Sequence, residues 1–116
     1  MLKFLLFILL SCTLQFSFAS EKVCTNLATK VASFDDNYRP PLEGKVIGNK
    51  KLYFYTAPDS QCKMKGIFVI KGDSLTVYSP YKGWLNVLYV AKDGEDYIGW
   101  ILSKQVKIIG QYGNNP

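Results

Sequence analysis

The chain has 116 residues, 48% of them hydrophobic and 20% charged, with fourteen Lys/Arg against nine Asp/Glu for a formal net charge of +5. That length holds one domain, and the absence of histidine removes Ser-His-Asp triads, Cys-His peptidase chemistry and His-ligated metals together. Arg39 is the only arginine, which argues against nucleic acid as a partner, because the planar guanidinium is the preferred reader of bases and phosphates.

Residues 1–19 read as a signal peptide. Lys3 supplies a positive start, residues 4–10 are an unbroken apolar run, and Ser17-Phe18-Ala19 puts small residues at the −3 and −1 positions of a cleavage site before Ser20. The competing reading is a retained membrane anchor. It meets a stretch interrupted by Cys12, Thr13, Gln15 and Ser17, shorter than the ~20 apolar residues of a spanning helix. A second processing route is lipidation, since Leu9-Leu10-Ser11-Cys12 resembles a bacterial lipobox with Cys12 as the modified residue. The expected address is the periplasm or the exterior, with no membrane span left after cleavage.

Cleavage leaves Cys24 and Cys62, which have one intramolecular pairing available in an oxidising compartment. Closing that long loop is worth about 4 kcal/mol in the chain-entropy account. Two cysteines cannot fill a tetrahedral metal site and no imidazole stands ready to activate a thiolate, so no cofactor is expected. Loss of Lys3 lowers the net charge to +4. That charge is either a solubilising surface that guards strand edges with lysine, or an attraction to an acidic partner or an anionic envelope surface.

In the body of the chain, residues 20–34 predict a short helix, with Val23, Leu27 and Val31 at four-residue spacing and Thr25 or Asn26 as its cap. Residues 35–44 predict a linker, because Pro40-Pro41 excludes helix and regular ladder pairing. Val46-Ile47 and Leu52-Tyr53-Phe54-Tyr55 are extended, with Leu52 and Phe54 in the core and Tyr53 and Tyr55 facing away. Residues 60–66 read as a polar loop carrying Cys62. Short strands follow at 67–70, 74–79, 84–90 and 97–102, separated by Gly/Asp/Pro turns. Leu75 and Val77 point inward. The strand at 84–90 is apolar on both faces, as expected of a central strand touched on both sides. A single 3-10 turn at 103–106 precedes a last strand at 107–109, and residues 110–116 read as a tail.

These segments resemble the bacterial SH3 (SH3b) domain family. Leu52-Tyr53-Phe54-Tyr55-Thr56-Ala57-Pro58 looks like the family's opening strand, and Lys71-Gly72-Asp73-Ser74-Leu75-Thr76-Val77 like its next conserved segment. Lys82-Gly83-Trp84-Leu85-Asn86-Val87 is similar to its Gly-Trp strand, and Gly99-Trp100-Ile101 with the polar turn before Val106 to its closing motif. The resemblance covers residues 46–109. It implies a mainly β fold, a small barrel of five to six strands with a 3-10 turn before the last, here with a helical and extended N-terminal extension at 20–44. It also implies binding rather than catalysis, of peptidoglycan peptides, envelope components or other proteins. Tyr55 stands where the family has Arg, and Ala57 where it has Gly.

The acidic residues offer no catalytic constellation: Asp35-Asp36, Asp73 and Glu95-Asp96 all fall in turns, where Asx and capping roles dominate. The aromatic residues are the better candidates. Large rings fill small cores, so any one of them has burial as its first explanation. As a set, Tyr53, Tyr55, Tyr81, Trp84 and Trp100 predict an aromatic groove rimmed by Lys63, Lys65 and Lys82, suited to a protein or peptide of acidic character. Three functions compete: an immunity or inhibitor protein that occludes a secreted toxin or wall-acting enzyme, a peptidoglycan-binding module, and a structural envelope protein. A lone wall-binding module has nothing to tether, which favours occlusion. A basic inhibitor is poorly steered to basic lysozymes, which favours immunity.

Overall fold

The computed structural model describes residues 15–113. The expected lipidation site Cys12 and most of the expected signal peptide lie outside the described residues. One helix, α1 (Gln15–Ala32), precedes seven antiparallel strands. These are β1 (Leu42–Val46), β2 (Leu52–Tyr55), β3 (Lys63–Val69), β4 (Ser74–Tyr81), β5 (Trp84–Val90), β6 (Asp96–Leu102) and β7 (Val106–Gln111), with 3-10 turns at Ser60–Cys62 and Ser103–Gln105. The mainly β expectation holds. The strands form one open sheet in the order β3-β2-β6-β5-β4-β1-β7, with β5 at its centre. This corrects the expectation of a closed barrel of five to six strands: β1 and β3 are fuller strands than the sequence suggests, and the order leaves β3 and β7 as edges.

Among the described residues no second helix accompanies the sheet, and the side chains of its inward face bury one another. Val46, Leu52, Phe54, Val69, Leu75, Val77, Leu85, Val87 and Ile101, drawn from six strands, form one buried cluster. Period-2 alternation places them there: the buried residues of β2, β4 and the first half of β5 come at every second position. Tyr89, the third inward residue of β5, packs at the margin. Its phenol is held above its ordinary pKa by burial first, and then by the carboxylates of Asp73 and Asp93.

Several boundaries differ from expectation; Gly110 and Gln111, assigned to the tail, complete β7, and β4 runs on to Tyr81. Leu42, Glu43 and Gly44, assigned to the linker, begin β1. They pair with β4 on one side and β7 on the other. Lys63, Met64, Lys65 and Gly66, assigned to a loop, begin edge strand β3. The helix starts before residue 20 and runs through the expected cleavage position, so Thr25 is no cap. Its hydroxyl instead donates back to the Glu21 carbonyl, 2.9 Å away. Cys24 and Cys62 are joined, with Cα atoms 5.7 Å apart, and the bridge ties α1 to the first 3-10 turn. Among the described residues no helix is long and apolar enough to cross a membrane.

The β4–β5 hairpin turns on two residues. Lys82 and Gly83 have φ of 41° and 86°, while Tyr81 pairs directly with Trp84. This is the geometry of a type I′ turn, which follows the right-handed twist of the strands and demands positive φ twice. A Cβ at Gly83 would meet nothing within 4 Å, so the cost of a side chain there is purely conformational. Gly83→Ala should therefore lose about 1 kcal/mol in urea unfolding; an unchanged midpoint would mean that the turn is not held in this form.

Candidate functional site

The outward face of β2, β6, β5 and β4 carries the large rings. Cross-strand register sets one row: Lys63 lies opposite Tyr55, Tyr55 opposite Trp100, Trp100 opposite Asn86, and Asn86 opposite Ser79. The next row joins Trp84 to Tyr81. Tyr81 reaches this face because the register shifts between Val77 and Ser79. The extra residue reverses the alternation, so Tyr81, not Pro80, comes up beside Trp84. The Tyr55 and Trp84 rings meet edge to face at 4.8 Å, and those of Tyr81 and Trp100 at 6.4 Å. Such contacts hold the rings in fixed orientations.

Four of the five expected groove aromatics thus lie together. Tyr53 is on the same face, but its ring turns to Phe68, 5.6 Å away, toward the β3 edge. Lys63 stands 3.7 Å over the Tyr53 ring and Lys82 5.4 Å over Tyr81, so both flank the rings as expected. Lys65 is exposed on β3, in the stretch where the β2–β3 register shifts. Trp100 is 5% exposed. It forms a floor, while Tyr55, Tyr81 and Trp84 are half-buried and present ring area.

Beside Trp100 lie elements that strand alternation does not locate. The second half of α1 and residues 34–41 lie across the outward face and leave a cleft of about 830 Å³, with Val31, Phe34, Tyr78, Asn86, Gly99 and Trp100 in its lining. Phe34, 46% exposed, is a further ring of this face, stacked 6.2 Å from Tyr81. The only hint of it in the sequence is an apolar residue closing the helical stretch before Asp35-Asp36. The segment is pinned by a 2.7 Å hydrogen bond from the Tyr38 N–H to the Tyr78 carbonyl. Gly99 lets β2 approach β6: a Cβ there would stand 3.0 Å from the Tyr55 carbonyl oxygen and 3.1 Å from Phe54 Cδ2.

The carboxylates near and beyond this face do structural work. Asp35 pairs with Arg39 at 2.6 Å, with both side chains largely exposed, an arrangement worth little in water. Asp59, Asp73 and Asp93 accept from the backbone N–H groups of Gln61, Ile70 and Glu95 at 3.0, 2.8 and 3.0 Å. What the face offers a ligand is therefore ring area, the Asn86 amide and a basic margin, an assembly fitted to burying an apolar or aromatic side chain. No protein-family model, characterised protein or solved structure matches this chain.

Proposed function

We propose that this is an exported, non-catalytic protein-binding module, built on an SH3-like plan, that occludes a wall-acting enzyme or toxin with the aromatic face of β2, β4, β5 and β6. The observation that carries the reading is the set of half-buried rings Tyr55, Tyr81 and Trp84, oriented by one another over the buried Trp100. Rigid Tyr and Trp side chains bury much area at small entropic cost, which is why they dominate the energetics of protein interfaces. The resemblance to SH3b domains and the Cys24–Cys62 bridge, suited to an oxidising compartment, support the same reading.

The test begins with a pull-down from periplasm, using the protein as bait, followed by calorimetric titration of the captured partner. Tyr55→Ala combined with Trp84→Ala should weaken binding at least about 30-fold, taking an anchor loss of ~2 kcal/mol or more, while circular dichroism still reports a folded sheet. A folded double variant with full affinity refutes the reading. Pelleting with purified sacculi to the same extent for wild type and variant would also refute it, in favour of wall binding elsewhere on the molecule.

A further inference from the structure

The end of the sheet formed by residues 47–51 and 70–73 carries a second surface, unlike the aromatic face in composition. The two segments run side by side. The Gly72 N–H donates to the Val46 carbonyl at 2.8 Å, the Val46 N–H to the Asp73 carbonyl at 3.0 Å, and Lys71 Nζ reaches Asn49 Oδ1 at 3.4 Å. Lys50, Lys51 and Lys71 are exposed there. Lys45 and Lys107 join them from β1 and β7, where they stand directly opposite each other in the ladder.

Like charges in a cross-strand pair are destabilising, so this arrangement costs the fold something. Among the described residues the one ion pair is Arg39–Asp35, in the segment that follows α1. The acid within these segments, Asp73, is turned to the Ile70 N–H at 2.8 Å. The five lysines outnumber that carboxylate, and this end of the sheet is net positive. Apolar side chains stand among them: Ile47 is 47% exposed and Ile70 53%, and Lys51 stands over the half-exposed Phe68 ring. Neither of the two clefts beside α1 includes a residue of these segments, which are turns at the end of the sheet.

Projecting isoleucines ringed by unpaired lysines match the layered chemistry of an anionic bilayer, with phosphate headgroups outside and acyl chains beneath. Side chains at the tips of projecting turns suit a laterally continuous lipid surface better than the pocketed core that anchors a protein interface. We infer that this end of the sheet is a peripheral attachment site for an anionic lipid surface. The protein would rest on a membrane through Lys45, Lys107, Lys71, Ile47 and Ile70, with the aromatic face left to its own partner. Attachment is reversible, because a few lysines and two side chains supply far less than a spanning helix does.

The test is flotation of the protein, with whatever N-terminus it carries on expression, on vesicles of phosphatidylcholine alone or with one-third phosphatidylglycerol. An apolar leader would bind both vesicles alike, so the readout is the difference between them. Binding to the anionic vesicles is expected to exceed binding to the neutral ones and to fall with added salt. Lys45→Gln with Lys107→Gln should weaken anionic binding about 30-fold, at ~1 kcal/mol for each lysine. Those changes remove a repulsive pair, so the melting temperature should hold or rise, which separates lost binding from lost folding. Ile47→Ser with Ile70→Ser should weaken binding further. Equal binding to both vesicles, or anionic binding unmoved by the lysine changes, overturns the inference. Binding that follows the lysines but ignores the isoleucines overturns the insertion assigned to Ile47 and Ile70 and leaves headgroup contact alone.

Discussion

Replacing Cys24 and Cys62 together by serine should cost about 4 kcal/mol of stability, the entropy of a loop closed across 38 positions. For a chain this size that is a large part of the whole margin against unfolding. The loss should not fall evenly. Among its described side chains, α1 buries Cys24 and Val31, with Leu27 and Ala28 half-buried beside the bridge. Without the bridge the helix has little to hold it, because a helix draws most of its stability from tertiary packing. In urea, helical ellipticity should be lost before the near-ultraviolet signal of the tryptophans. A single coincident transition at an unchanged midpoint would show that the bridge does not anchor the helix.

Phe54→Ala should cost about 3–5 kcal/mol, the usual range for emptying a phenylalanine site. Phe54 is fully buried in the common cluster. Its strand is joined to β6 through a single register pair, Tyr55 with Trp100, whereas β5 and β6 pair along their whole length. The β2–β3 hairpin therefore depends on side-chain packing for its hold on the sheet. Amide hydrogen exchange should speed up across β2 and β3 well before β4 and β5. Uniform acceleration throughout the sheet would place the loss in global stability alone.

Alternation made much of the sheet readable in advance. Leu52, Phe54, Leu75 and Val77 follow period 2 and are all buried, and the apolar character of both faces of β5 fits its place at the centre of the sheet. The failures have physical causes. Glycine is a poor strand former, and two prolines stand just before Leu42, so Leu42, Glu43 and Gly44 read as linker. Gly44 is a strand residue because a Cβ there would stand 2.8 Å from Val106 Cγ1 and 3.1 Å from Val77 Cγ2. Only the packed neighbours reveal that requirement. Lys63-Met64-Lys65 looked like loop because an edge strand exposes lysines where a central strand would bury aliphatic side chains.

For the candidate site, residue types were legible and their grouping was less so. Tyr81 depends on a shift in register, which alternation cannot anticipate. The separation of Tyr53 from the other rings depends on Phe68, across the β2–β3 ladder. Trp100 shares the lining of its cleft with α1 and the segment after it, elements remote in sequence whose docking face a helical period suggests without saying what lies opposite.

The bridge also decides where a mechanical load would travel. Tension applied at the start of the chain passes at Cys24 across to Cys62, at the threshold of β3, so β1 and β2 sit inside a covalent loop that carries none of it. The far end of the chain leaves from β7. Because β3 and β7 are the two outermost strands, a pull between the ends acts on the margins of the sheet and leaves the central strands β5 and β6 slack until the margins have peeled. The molecule yields from its rims inward, and the face that carries the rings, centred on β5 and β6, is the last part to come apart.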